Sequence, residues 1–290
     1  MSMMQKENSN GARFMNIPSA PPAIDLGLLS RFEPTTLEEM DSIKLMNRID
    51  TKFVTDTLML KSVLEDALRH GYRAFECDGE RMHAYDSIYF DTNDLRMFTD
   101  HRRGKFVRQK IRTRVYCGSG LCFLEVKKKN NHSRTRKKRV EVPQDDFQDF
   151  RNDTDACHWL TSHSDFGSAE VSPAVETSFN RITLVNKGLT ERLTIDTSVT
   201  FRNLRTGASA DLGAAVIIEL KQDGRLRSEM KDILSEHRIK PFRISKYCIG
   251  TVLTDSGVAA GRFKQKIKYI DKLNKNFYIK CYNPVLLRPL

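Results

Sequence analysis

Arg108-Gln109-Lys110-Ile111-Arg112-Thr113-Arg114 is the stretch on which the reading of this chain turns. The β-branched residues Val107, Ile111, Thr113 and Val115 favour an extended strand. On a strand, alternate side chains point to opposite faces, so Arg108, Lys110, Arg112 and Arg114 stand together. Four like charges along one face repel one another, and a solvated sheet gains little from them. They make sense facing a densely negative ligand such as a chain of phosphates. The competing reading is an edge strand whose cations face water and discourage aggregation.

The surroundings carry the same charge. Between Lys105 and Arg139 there are thirteen Lys or Arg residues and one acid, Glu125, in a chain of 290 residues with net charge +11. That concentration points to an anionic partner: polyphosphate, nucleotide, nucleic acid or a lipid surface. A hydrophobic content of 39% with 29% charged residues fits a soluble globular protein long enough to bury a proper core. The six cysteines show no C-x-x-C spacing, so a zinc site has no support and free thiols are expected. Met1 to Pro34 lacks a signal-peptide pattern and no apolar run reaches membrane-span length. The expectation is a cytoplasmic protein without a transmembrane segment.

Residues 1–35 are expected to be largely disordered, with Asn, Ser and Gly followed by Ser19-Ala20-Pro21-Pro22. A short helix is expected over Leu37–Leu45, then a strand over Arg48–Val54 and an amphipathic helix over Thr57–His70, stopped by Gly71. From there the pattern is mostly β: Tyr72–Cys77, Tyr85–Asp91, Phe106–Tyr116, Cys122–Lys129, Arg136–Val142, Ala174–Leu184, Leu193–Phe201 and Ala215–Lys221. Asp145–His163 is polar and helix-prone, and helices are expected over Ser228–His237 and Ile244–Leu253. Residues 256–290 form a basic tail, expected as a surface-lying helix over Arg262–Lys280. Successive antiparallel strands with inserted helices suggest an α+β barrel with flanking helices.

Other strands repeat the pattern of residues 108–114. Arg48, Asp50 and Lys52 share a face; so do Glu125, Lys127 and Lys129; so do Lys137, Arg139 and Glu141; so do Arg192, Thr194 and Asp196; so do Glu219 and Lys221. Glu219 lies among Ile217, Ile218 and Leu220, a setting in which an acid needs a partner. A barrel with a polar interior and an exterior covered by helices accounts for all the rows together. A sandwich with solvated charged faces is the alternative.

In their order along the chain, several short pieces resemble one family. They are Arg48-x-Asp50-x-Lys52-Phe53, Tyr89-Phe90-Asp91-Thr92, Lys110-Ile111-Arg112-Thr113-Arg114-x-Tyr116 and Leu124-Glu125-Val126-Lys127. Asn180-Arg181, Arg192 to Thr197, Ile218-Glu219-Leu220-Lys221 and Ser245-Lys246-Tyr247 follow. Together they resemble the vacuolar transporter chaperone (VTC) domain over roughly residues 45 to 253. That domain is the polyphosphate polymerase branch of the triphosphate tunnel metalloenzymes, related to CYTH domains.

The resemblance implies an antiparallel eight-stranded β-barrel, or tunnel, occupying residues 36–255 and lined by phosphate-binding cations. By that match Arg112, Arg114, Lys127, Arg181 and Arg192 would act on the reacting phosphates, Lys52, Ser245 and Lys246 would bind substrate, and Glu219 would hold Mn²⁺ or Mg²⁺. The implied activity moves the γ-phosphoryl of ATP onto a polyphosphate chain, with ATP and polyphosphate as partners and no DNA or RNA. Position 50 is Asp where the wider superfamily has Glu, and Arg48 replaces the first Glu of Glu-x-Glu-x-Lys. Those departures weigh against the two-metal hydrolases of that group. A tunnel triphosphatase and a non-catalytic polyphosphate- or nucleic-acid-binding module are the rival functions.

Overall fold

Eight long strands form one curled antiparallel sheet in the computed structural model, which describes residues 25–41, 48–131, 134–224 and 226–282. They are β1 (Arg48–Asp56), β2 (His83–Asp91), β3 (Arg108–Tyr116), β4 (Cys122–Lys129), β5 (Thr135–Val142), β6 (Ser172–Val185), β7 (Glu191–Asn203) and β8 (Ala215–Asp223). Their order across the sheet is β1-β8-β7-β6-β2-β3-β4-β5. This is the expected eight-stranded architecture in half-barrel form, with β1 and β5 as edges rather than a hydrogen-bonded seam. Pro241 and Phe242 pair with the free side of β1, where the Phe242 N–H donates to the Lys52 carbonyl at 2.6 Å.

The helices are α1 (Thr57–Arg69), α2 (Arg96–Arg103), α3 (Thr154–His163), α4 (Glu229–Glu236), α5 (Lys246–Thr254) and α6 (Lys264–Tyr282), with short helical turns besides. Period-two alternation sends the apolar member of each strand pair to the convex face, where helices cover it. Ile182, Leu184, Leu193, Ile195, Ile218 and Leu220 pack there against Leu60, Val63 and Leu64 of α1 and Ile233 and Leu234 of α4. At the other end Ile88, Ile111, Leu124 and Val126 meet Phe147, Phe150 and Leu160. Truncating any of these buried leucines to Ala costs about 2–5 kcal/mol.

A bulge re-aims one strand. The pairing of β6 with β7 slips between Ser178 and Asn180, opposite Ser198, which holds a left-handed φ of 51°. Beyond it Val199 and Phe201 join Val175, Phe179, Tyr247 and Ile249 in an apolar cluster. Helix α5 therefore closes one end of the concavity on grease, leaving the charged rows in the rest of it.

Three expectations need correction. Within the segment expected to be disordered, Leu26–Leu29 is helical and Glu33–Thr35 pairs with Arg73–Phe75, because Leu28, Leu29 and Phe32 bury themselves against the α1 core. Residues 1–24 lie outside the described residues, as does the end of the helix expected over Leu37–Leu45, of which Leu37–Asp41 is seen. Helix α6 does not merely lie on the surface: Phe263, Ile270 and Phe277 are buried, and Asn274 bonds the backbone at Leu212 and Ala214. His101 has no ligand spacing in the sequence and reads there as a surface residue, yet it is enclosed; its Nδ1 stands 3.2 Å from Cys248 Sγ and its ring meets Phe263 edge-on.

Among the described residues no helix is long and apolar enough to cross a membrane.

Candidate functional site

The sheet registers set the charged rows side by side on the concave face. Lys52 faces Glu219, Lys221 faces Arg192 and Arg181 faces Asp196. Arg112 faces Glu125, and Lys127 stands between Lys110 and Lys137. The curl brings distant strands to one place. Lys52 of β1 donates to the Ile244 carbonyl at 3.4 Å, and Lys110 of β3 donates to Ser245 Oγ at 2.7 Å. Every residue expected at the site thus lies on this face or at the start of α5.

Two carboxylates tie part of the face together. Arg181 grips Asp196 through Nε and Nη2 at 2.6 and 2.9 Å, and Lys246 donates to the same carboxylate. Glu125 takes Arg112 Nε at 2.7 Å and Lys137 Nζ at 2.5 Å. Burial works against ionising both acids, yet the adjoining cations hold them well below the usual carboxylate range. Both are therefore ionised spacers that fix the directions of four cations. Arg114 is buried, donates to Ser87 Oγ at 2.9 Å, and is pushed down to about 10 by burial and then by Arg112 and Arg181.

Glu219 has no such partner. Asp50 is paired with Arg48 at 2.7 Å, whereas the Glu219 carboxylate makes no hydrogen bond or ion pair within 4 Å among the described residues. Burial opposes its charge, but Lys52, Lys221, Lys127 and Arg181 keep it ionised. Arg181 already has Asp196, but the three lysines are short of anions. Lys221 is pushed down to about 8, first by burial and then against Glu219 by Arg192 and Arg181. Lys127, open to the hollow, is also lowered by burial and by Lys52 and Arg112. Arg192 is half-buried beside Lys221.

Such a surface, with ionised anchors and surplus cation, can hold a phosphate-dense anion: Arg forks grip phosphate oxygens bidentately and Lys supplies point charge. A family model of the VTC domain matches residues 47–254. The chain belongs to the VTC domain family. No curated protein matches it by sequence.

Among solved structures it is similar to a putative adenylate cyclase of Bacillus halodurans at 12% identity and TM-score 0.44, covering 69% of this chain and 96% of that one. It is similar also to a putative adenylyl cyclase from Hippeastrum, described as having a dominant triphosphatase activity, at 15% identity and TM-score 0.46, covering 72% and 97%. A third is the Pct1 RNA triphosphatase of S. pombe, at 8% identity and TM-score 0.26, covering 93% and 98%. The family assignment rests on the sequence match.

Within this VTC domain, Ser245 holds an anchoring position. Its hydroxyl caps α5 by accepting from the Cys248 N–H at 3.3 Å and takes the Lys110 ammonium. Lys246, pushed down to about 8 by burial against the pull of Asp196, also sits 3.9 Å over the Phe179 ring.

Lys110, Lys137 and Lys221 stand in charged rows of the sequence but have no role assigned there, and Tyr89 is quoted without one. Tyr89 accepts from Arg112 at 3.1 Å; burial raises its phenol, but Arg112, Lys110, Arg114 and Lys246 overcome that and bring it down to about 7. Its signal was available: it alternates with Tyr85 and Ser87 toward the charged face.

Asp91, two residues on, is a structural hub. It accepts the N–H groups of Met97 and Phe98 at 2.9 Å each and the Tyr247 hydroxyl, so it fixes α2 and α5 against the sheet.

Proposed function

We propose that this concave face binds the triphosphate of ATP and moves its γ-phosphoryl onto the end of a polyphosphate chain. The observation that carries the reading is the contrast among the carboxylates: Glu125 and Asp196 are each occupied by two cations, while Glu219 lies ionised and unpaired beside Lys52, Lys127 and Lys221.

The acceptor supports transfer to phosphate. A terminal phosphate oxygen is already anionic, so it can form the new P–O bond to the γ-phosphorus without a general base. The β–γ bridging P–O bond breaks and ADP leaves. Water as acceptor must lose a proton; Glu125 and Asp196 are tied up in ion pairs, which leaves only Glu219, the carboxylate assigned here to the metal. Arg181, Arg192 and Lys246 would hold the nucleotide's phosphates, with Arg112, Arg114 and Lys127 on the transferred group or the acceptor. Catalysis would then come from positioning and fixed charge.

The donor set also bears on the metal. No cluster of three or more His, Cys, Asp or Glu suited to a metal exists among the described residues. A hard divalent ion needs about six oxygens, so Glu219 fits as the protein ligand of Mn²⁺ or Mg²⁺ whose other oxygens come from phosphate and water. Held by Glu219, such an ion would supply charge neutralisation for the transferring phosphoryl group.

The experiment is to incubate the purified protein with ATP and Mn²⁺ and separate the products on a gel that resolves polyphosphate. A ladder accompanied by ADP is expected. ADP with free phosphate alone would mean a triphosphatase, and unchanged ATP a binding module.

A further inference from the structure

Helix α6 lies beyond the residues matched by the VTC domain, yet it adds charge to one mouth of the hollow. Arg108 and Lys129 end the concave rows of β3 and β4 and are cross-strand partners. Beside them stand Arg243, just before the start of α5, Arg262, in the short turn that leads into α6, and Lys266, in the first turn of α6. Lys266 donates to the Arg243 carbonyl. The Arg262 guanidinium lies against Gly104, where φ is 78° and any side chain would overlap it.

These cations feel one another. Burial and then Arg262 lower Arg108, burial and then Arg108 and Arg243 lower Lys129, and burial and then Arg262 and Arg243 lower Lys266. None of the five forms an ion pair with a carboxylate among the described residues, although nearby Lys105 does, with Asp100. Neighbouring Arg102 keeps a buried Nε without a hydrogen-bond partner. The scaffold beneath is firm, since Phe263 is buried against Phe98 and His101. A firm cluster of five mutually repelling cations costs stability unless an anion covers it.

We infer that Arg108, Lys129, Arg243, Arg262 and Lys266 form a second anion site that takes the continuation of a linear phosphate chain, outside the site that holds the triphosphate. This rests on the proposed function for its choice of polyphosphate over other polyanions. The site continues the Arg108-Lys110-Arg112 row, and Arg108 stands about 13 Å along an extended strand from Arg112. A short triphosphate centred on Arg112 and Glu219 need not reach it; a long chain does, and gains affinity by engaging both sites at once.

The test compares the parent protein with the double variant Arg262→Ala/Lys266→Ala, using calorimetric affinity for long-chain polyphosphate and for tripolyphosphate, with ATP consumption alongside. Long-chain affinity should fall about tenfold or more, the scale of a lost charge-assisted contact. Tripolyphosphate affinity and ATP consumption should stay within about twofold. Arg262→Lys/Lys266→Arg, which keeps both charges, should retain long-chain binding.

Unchanged long-chain affinity in the Ala variant would overturn the site, and so would an equal loss for both ligands. Tighter binding of single-stranded RNA or of anionic lipid vesicles than of polyphosphate would overturn the choice of partner. If the parent makes no polyphosphate yet loses long-chain binding in the Ala variant, the mouth site stands and the polymerase reading falls.

Discussion

Two parts of the concave face are built on opposite plans. In one, Arg112, Lys137, Arg181 and Lys246 are held by Glu125 and Asp196, so the protein carries its own counter-ions and the cations are aimed before any ligand arrives. In the other, Lys52, Lys127 and Lys221 surround Glu219 without closing an ion pair on it. The first part is paid for in the folded chain, where ionised acids offset the desolvation of buried cations. The second has an electrostatic deficit that a polyanion, with or without a metal, would relieve. The difference teaches which substitutions should register in stability and which in binding.

The largest effect is expected where the internal counter-ion is removed. Asp196→Asn leaves the Arg181 and Lys246 charges buried without their partner and should cost about 3–5 kcal/mol, read as a lower urea midpoint. A loss below about 1 kcal/mol would erase the distinction between the two parts.

Next comes Arg112→Ala, which should weaken triphosphate binding roughly ten- to hundredfold and lower turnover with it, measured by calorimetry and by ATP consumption. A loss of turnover at full affinity would move Arg112 from binding to another role.

The pH response is expected to follow. Lys221 and Lys246 fall from the usual 10.5 to about 8. Above pH 8 each loses its proton in the folded, unliganded protein, so affinity for tripolyphosphate should drop by up to about tenfold per lysine per pH unit. Between pH 8 and 10.5 the unfolded chain binds more protons at these two sites, so their contribution to the stability of the unliganded fold rises over the same range. Calorimetry in buffers of different ionisation heat should show proton uptake on binding at pH 8.5; none would contradict the assignment.

The smallest effect separates the open part most cleanly: Lys127→Ala should change stability by less than about 1 kcal/mol while still weakening triphosphate binding.

The alternation of Arg108 to Arg114, Glu125 to Lys129 and Arg192 to Asp196 was enough to read the sheet, because a one-residue slip would have turned every charge to the helix-covered face. It also set Glu125 and Asp196 in rows with basic neighbours. What alternation could not supply was which neighbour: Lys246 meets Asp196 from 50 residues away and Lys110 meets Ser245 from 135. Those contacts follow from the curl of the sheet and the path of residues 241–246 back across it. Helix α2 was missed because its polar composition hides an anchor outside itself, the Asp91 carboxylate. The packing of α6 was more legible than it was taken to be. Phe263, Ile267, Ile270, Asn274 and Phe277 recur at helical spacing, a stripe masked by the lysines around it.

The most direct measurement concerns Glu219. Glu219→Gln keeps the shape and removes the charge that would hold a divalent ion. Affinity for a non-hydrolysable ATP analogue, measured without metal, should be unchanged or tighter, because the cations supply it and a repelling carboxylate is gone. ATP consumption with Mn²⁺ should fall by about a hundredfold or more. Turnover equal to that of the parent protein would contradict the account, for it would remove the open carboxylate from the chemistry.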